Sequence, residues 1–292
     1  MVLEYIVKKE DNFKNINEIL TSHFYISTRL RSKLIKLNMV KLNGKFTNTN
    51  RSVKESDVIS VEFDYIEDNS NIVPNKMDLK IIYEDQWLLI VNKPAGIAIH
   101  PSLLHYSDSL SNGIKYYFDS IGLKKKIRPV NRLDSNTSGI VIFAKCEYIQ
   151  ECFSKQMKEK IFKKEYLCIV EGILKQKHGT INLPISRKPG SIIERYIDEN
   201  GQNAITHYEV INEFHNYSLI RCFLETGRTH QIRVHMKYIN HPILGDTLYG
   251  NPSNLISRQA LHSYKIVFIH PISNKPMSFF CNLPTNMKKL IL

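Results

Sequence analysis

The chain has 292 residues, 42% hydrophobic and 23% charged, which supplies a sizeable core and exceeds the length of one typical domain. Forty Lys and Arg against 28 Asp and Glu leave a formal charge of +12, which favours a polyanionic partner such as nucleic acid or an anionic surface. Five scattered cysteines, none in a Cys-x-x-Cys pair, argue against a disulfide framework or zinc ribbon, and no stretch has signal-peptide or membrane-span character, so a cytoplasmic protein is expected.

In chain order, the first unit is compact and basic. Between Thr28 and Lys54 stand eight basic residues and no acidic one. Ser27 is placed to cap a helix in which Ile26, Leu30 and Leu34 fall four apart, with Arg29, Lys33 and Lys36 on another face. "VKLNGKF" follows, an Asn-Gly pair flanked by alternating apolar residues, which predicts a hairpin. A solvated helix face would explain the charge run alone about as well. The order of elements, closing on "DVISV", resembles the small RNA-binding module named after ribosomal small-subunit protein four. That resemblance makes Arg29, Arg31, Lys33, Lys36 and Lys41 the candidate contacts to RNA backbone. "NINEIL" departs from it by lacking a basic residue.

Residues 65–78, YIEDNSNIVPNKMD, read as a polar linker, dividing the chain into 1–64, 65–78 and 79–292. Beyond the linker, "LKIIYEDQWLLIVNKPAG" predicts two strands around an acidic turn, and "GLKKKIRP" a solvated basic loop. "IVIFAK" predicts a buried strand, and "EYLCIVEG", "AITHYEVINEF" and "YSLIRCFLETG" three more. "SKQMKEKIFKK" and "THQIRVHMKYI" read as helices, the latter capped by Thr226 or Thr229. The pattern lacks a βαβ rhythm, so the expected class is α+β. A catalytic domain on a mixed or antiparallel sheet with flanking helices is preceded by a small α+β domain.

Arg132 and Asp134 sit at the mouth of the predicted buried strand, and Arg233 is projected from the first turns of the last helix. A bidentate carboxylate–guanidinium pair would orient the acid and hold it ionised. Glycoside hydrolysis wants two carboxylates, and no second acid occupies a comparable setting. His230 and His235 are five apart and share no helical face, and no nucleotide-binding glycine motif occurs, so neither metal nor cofactor is expected.

Five stretches in order, "NKPAGIAIHP", "RPVNRLDSNTSGIVIFAK", "KKEYLCIVEG", "TGRTHQIRVHMKYINHPILGDTLYG" and "LHSYKIVFIHPIS", resemble the RluA family of pseudouridine synthases. The resemblance implies an isomerase that cleaves the bond between uracil and ribose, rotates the base and rejoins it through carbon five. Asp134 matches the family's essential aspartate, acting as nucleophile on the anomeric carbon or as base on the adjacent one. Tyr166 matches the tyrosine against the target base, and Arg233 the partner of the aspartate. Arg132, Asn131, Thr137, Arg228 and His230 complete the substrate-binding set, with Asn131 standing where the family commonly has His. Such chemistry flips a uridine out of structured RNA, ribosomal or transfer, and fits a monomer that needs neither membrane nor cofactor. Two other readings stand beside it. One is a noncatalytic RNA-binding protein retaining the fold, which has no use for an acid beside a polyanion. The other is a nucleoside hydrolase, which lacks its second carboxylate.

Overall fold

The computed structural model describes residues 1–103 and 105–292. The amino-terminal unit contains β1 (Val2–Ile6), α1 (Ile16–Ser22), α2 (Thr28–Lys36), β2 (Val40–Leu42), β3 (Lys45–Phe46) and β4 (Val58–Glu62). Its sheet runs β1-β4-β2-β3, and Ile16, Ile19, Leu20, Leu30 and Leu34 seal the two helices onto Val40, Ile59 and Val61. Ser27 caps α2, its Oγ accepting from the Leu30 amide at 3.2 Å. Asn43 and Gly44 both take positive φ, 50° and 77°, as a two-residue hairpin turn requires.

The larger body is built from β5 (Ile81–Glu84), β6 (Leu88–Lys93), α3 (Leu110–Ser120), β7 (Arg128–Pro129), β8 (Ser138–Ala144), α4 (Glu147–Lys158), β9 (Lys163–Glu171) and β10 (His178–Asn182). It continues with β11 (Ile185–Arg187), β12 (Arg195–Ile197), β13 (Ile205–Glu213), β14 (Tyr217–Leu224), α5 (Gln231–Tyr238), β15 (Leu261–Ile269), β16 (Pro276–Phe280) and α6 (Thr285–Lys288). A mixed sheet runs β10-β13-β14-β9-β15-β8-β6-β5, with β16 added to β15 and β7 to β8, while β11 and β12 form a separate hairpin. The expected α+β class holds. All seven residues of β8 are buried because both faces are covered. Val141 and Phe143 meet Ile114 and Phe118 of α3, whereas Ile140 and Ile142 share a core with Ile149 and Phe153 of α4.

One junction holds the two halves of this sheet together. β8 and β15 pair in parallel over only two positions, His262 with Ser138 and Ser263 with Gly139. The backbones approach so closely that a Cβ on Gly139 would lie 2.2 Å from the Ser263 carbonyl oxygen. Its φ of 117° also belongs to glycine.

Residues 65–78 contain no helix or strand, but they do not behave as a solvated spacer at their start. Tyr65 and Glu67 are buried, and Phe63 stacks on Tyr148 and meets Trp87 edge-on. Arg128 grips Glu67 through two parallel bonds of 2.7 and 2.6 Å, and Lys33 bonds Glu147 at 2.7 Å and Glu67 at 3.3 Å. Lys125 is buried and donates to the Phe63 and Tyr65 carbonyls. The "GLKKKIRP" stretch is therefore not a solvated loop. It locks the small unit against the large one, because buried cations must find acids or carbonyls.

Two further expectations are corrected here. "SKQMKEKIFKK" is not one helix: α4 stops at Lys158, Lys160 turns at φ 58°, and Phe162 drops into the core ahead of β9. Nor do Thr226 and Thr229 cap α5. His230, in the left-handed region at φ 59°, precedes it without a side-chain cap.

The Arg128–Glu67 pair yields a stability prediction. Arg128→Met should cost about 3–5 kcal/mol by stranding a buried carboxylate, and adding Glu67→Leu should recover most of that loss. Urea unfolding of the single and double variants checks it, and additive losses would contradict the pairing.

Candidate active site

Asp134 lies in the loop that delivers the chain into β8, and the Thr137 amide closes a turn onto its carbonyl at 3.0 Å. Two buried cations hold this loop from behind. Lys93, at the end of β6, donates to the carbonyls of Pro94, Ile97 and Ser135 at 3.0, 2.7 and 2.7 Å. Burial pushes its pKa down to about 7. Arg258 donates to the Asn136 carbonyl at 3.0 Å. Below them His262 bonds Ser138 Oγ at 2.9 Å, at the start of β8.

Asp134 Oδ2 accepts from Arg233 Nη1 at 3.1 Å, so the expected partnership is present. Its form differs from the bidentate pair anticipated. Arg233 presents its Nε and Nη2 to Asp246 instead, at 2.7 and 2.8 Å, and only Nη1 bonds Asp134. Asp246 is fully buried and also accepts from the Leu248 and Tyr249 amides. Once buried, a carboxylate with this many donors is the stronger magnet for a planar guanidinium. The Tyr249 ring lies 4.9 Å beneath the guanidinium carbon, a cation–π contact that completes the clamp.

His230 stands on the other side of Asp134, its Nε2 3.9 Å from Oδ1. Burial lowers its pKa, so the ring is neutral at pH 7. Tyr249 Oη accepts from the Arg195 amide at 2.7 Å, leaving its hydroxyl hydrogen for His230 Nδ1 at 2.8 Å. The imidazole proton then sits on Nε2, facing the carboxylate. Gln231 holds the approach to α5: its Oε1 accepts from Thr226 Oγ1 and the Arg228 amide, and its Nε2 donates to the Ile205 carbonyl.

A small cavity of about 60 Å³ collects Arg132, Asp134, Thr137, Tyr166, Arg228, His230 and Arg233 on one wall. Among the described residues lining it, Asp134 is the sole acid. Tyr166, in the middle of β9, forms its floor. Burial, reinforced by the charge of Asp134, raises the Tyr166 pKa, so the phenol stays protonated at neutral pH. Arg132 and Arg228 are exposed and stand where this cavity meets two larger clefts of about 830 and 420 Å³.

Asn131 is absent from the small cavity and lies on the wall of the larger cleft. It is buried, its Nδ2 donates to the Ile140 carbonyl, and its Oδ1 accepts from the Ile142 amide, both at 2.9 Å. Each end of the amide makes one bond that brackets β8. On the amino-terminal unit, Arg29 and Lys36 are exposed without ion pairs among the described residues. Arg31 is bonded to Thr21 and the Asn17 carbonyl, Lys33 to the two glutamates, and Lys41 to Glu62 at 2.5 Å. Those three cations already have partners within the fold, which sets them apart from Arg29 and Lys36. Asp246, Lys93, Arg258 and Gln231 went unnoticed in the sequence. Asp246 and Lys93 lie inside the motif stretches "HPILGDTLYG" and "NKPAG", which were their available signal.

A family model described as RNA pseudouridylate synthase matches residues 87–238. The chain is 39% identical over 252 residues to an uncharacterized RNA pseudouridine synthase, YjbO, of Bacillus subtilis, covering 86% of this chain and 89% of that one. It is 35% identical over 280 residues to ribosomal large subunit pseudouridine synthase D of Neisseria meningitidis, covering 91% and 74%. Among solved structures, human RNA pseudouridylate synthase domain containing 1 superposes with a TM-score of 0.59 at 25% identity, covering 70% of this chain and 83% of that one.

His262 makes the floor of this loop acid-sensitive. Burial pushes its pKa from the ordinary 6.5 down to about 4. Between those values the unfolded chain binds a proton that the folded chain does not, so stability is lost as pH falls through that window, by up to about 3 kcal/mol. His262→Gln should flatten the fall. Urea-unfolding free energies at pH 7 and 4.5 check it, and an equal drop in both proteins would remove His262 as the cause.

Proposed function

The chain belongs to the RNA pseudouridylate synthase family, in its RluA branch, and is an RNA pseudouridine synthase; on that premise we propose that ribosomal large-subunit RNA is its substrate and Asp134 the residue that opens the reaction. The observation that carries the site assignment is a single carboxylate in a pocket whose other described lining residues are three arginines, a histidine, a phenol, the polar Thr137 and Gln231, and apolar side chains. Hydrolysis through an acid and a base would need two. An isomerase needs one, because the detached uracil is recaptured in the same enclosure.

The residues divide the work by position. Asp134 reaches the sugar, as nucleophile on the anomeric carbon or as base on its neighbour, and Arg233 fixes the direction of its lone pairs. Tyr166 offers an aromatic face for the uracil while it is free of the ribose, and this contact offsets part of the unstacking. Arg132 and Arg228 receive the nucleotide at the mouth. The large-subunit assignment is supported by relatives named ribosomal large subunit pseudouridine synthase D, at 35% identity in Neisseria meningitidis and 33% in Pasteurella multocida. Residues 1–64 act in this reading as an RNA-binding module like that of ribosomal small-subunit protein four, gripping phosphates through Arg29 and Lys36.

Asp134→Asn is expected to abolish pseudouridine formation while holding RNA affinity within a few-fold. Pseudouridine mapping of cellular RNA with the wild-type gene, the variant and no gene tests both claims. Sites that vanish from transfer RNA alone would overturn the large-subunit assignment and leave the isomerase intact. Asp246→Asn is the second prediction. Loss of the buried anion frees the Arg233 fork, so kcat should fall about 100-fold or more with little change in KM, the pattern of an interaction needed in the transition state. Single-turnover assays against matched RNA check it, and a wild-type rate would show that Arg233 is held by something else.

A further inference from the structure

The cleft of about 830 Å³ beside the Asp134 pocket is walled by the end of α4, the start of β9, the end of β14 and the loop Thr226–Arg228. Its acids are already engaged. Glu225 bonds Lys160 at 2.6 Å and His207 at 2.7 Å, and Glu165 lies 3.1 Å from the Lys265 ammonium. Its remaining lysines are not. Lys158, Lys163 and Lys164 have no ion pair or side-chain hydrogen bond among the described residues, and Arg132 and Arg228 stand where the cleft opens into the pocket.

Lys164 differs from the other two. Lys158 and Lys163 are exposed, whereas Lys164 is half-buried. It sits two residues before Tyr166 on β9, hence on the same face and about 6.7 Å along the strand; both side chains line the cleft. Its Nζ rests against Gly227, where a Cβ would lie only 3.1 Å away, so the glycine leaves the room this ammonium occupies. Burial lowers the Lys164 pKa, and no nearby acid opposes that effect. A half-desolvated cation without a counter-ion is a cost to the free protein that an incoming anion removes.

We propose that Lys164 binds a backbone phosphate of the nucleotide adjoining the flipped uridine, and that Lys158 and Lys163 guide the same strand along the cleft. This rests on the reading that the Asp134 pocket takes a uridine from RNA. A uridine seated on Tyr166 directs its phosphates out of the pocket, past Arg132 and Arg228, and the first unneutralised cation beyond them is Lys164.

The test uses a fluorescein-labelled ten-nucleotide oligouridine, titrated with full-length protein at several KCl concentrations. Lys164→Gln should weaken binding about 5-fold to 10-fold at low salt and reduce the slope of log affinity against log salt by about 0.7, the value for one phosphate on a single strand. Lys164→Arg should restore the slope. Lys158→Gln and Lys163→Gln, at exposed positions, should each give a smaller loss. In steady-state assays on large-subunit RNA, Lys164→Gln should raise KM about 5-fold with kcat held. Slopes equal to wild type in all four variants overturn the proposal. So does a loss of kcat with KM and slope unchanged, which would put Lys164 on the reacting base. If the oligouridine slopes fall but large-subunit RNA is not modified, the substrate reading fails and the phosphate contact stands.

Discussion

The fork of Arg233 is the interaction from which the site takes its geometry. A guanidinium is planar and offers its donors in fixed directions, so two bonds to the buried Asp246 leave no freedom in where the third points. It points at Asp134, 3.1 Å away. Asp246 can play this part because it is anchored itself, by the amides of Leu248 and Tyr249. Tyr249 then spreads the effect, placing its ring under the guanidinium and its hydroxyl on His230. A four-residue turn thus orients both groups that flank the carboxylate. Charge at the site is arranged to be shared: one cation serves two acids, and only the second of them reaches the cavity.

The sheet sets where this turn and the Asp134 loop meet. β8 and β15 touch over two residue pairs, and the antiparallel halves diverge on either side. Tyr166 pairs with Ser263 at that same level, so the floor of the pocket and the loop above it are referred to one point of the backbone. Lys93 and Arg258 fill the space behind the loop, where backbone carbonyls would otherwise be buried without donors. Buried lysine and arginine therefore do here what a strand ladder does elsewhere, and leave the carboxylate of Asp134 to face outward.

The excess of basic residues separates into cations that hold the molecule together and cations that remain free. Lys33, Lys125 and Arg128 join the amino-terminal unit to the body through Glu67, Glu147 and two backbone carbonyls. Arg29, Lys36, Arg132, Arg228 and three lysines of the cleft, Lys158, Lys163 and Lys164, face solvent or cavity with no acid paired to them among the described residues. The second group is the one left free for phosphate oxygens. Because Phe63, Trp87 and Tyr148 share one core across the boundary, the small unit is fixed in orientation to the pocket and is not strung from it.

Local features were legible in the sequence wherever a short-range rule governs them. The buried β8, the Ser27 cap, the Asn-Gly hairpin and the four-residue spacing inside α2 depend on near neighbours and periodicity, and each forms as read. Asp134, Arg233 and Tyr166 were legible as motif members, and the structure lines one cavity with all three. What tertiary structure alone decided is partnership. Arg233 could be matched to Asp134 on paper, but its two shortest bonds go to Asp246; Asn131 could be placed at the substrate, and the structure adds that both ends of its amide bond β8. Lys33 read as a candidate RNA contact and Lys125 as solvated charge, and both have partners across the boundary between the two units. A sequence shows which residues carry charge and hydrogen-bonding capacity. It does not show the distances between them, and the energy of an ion pair is set by distance and burial, which exist only once the chain has folded.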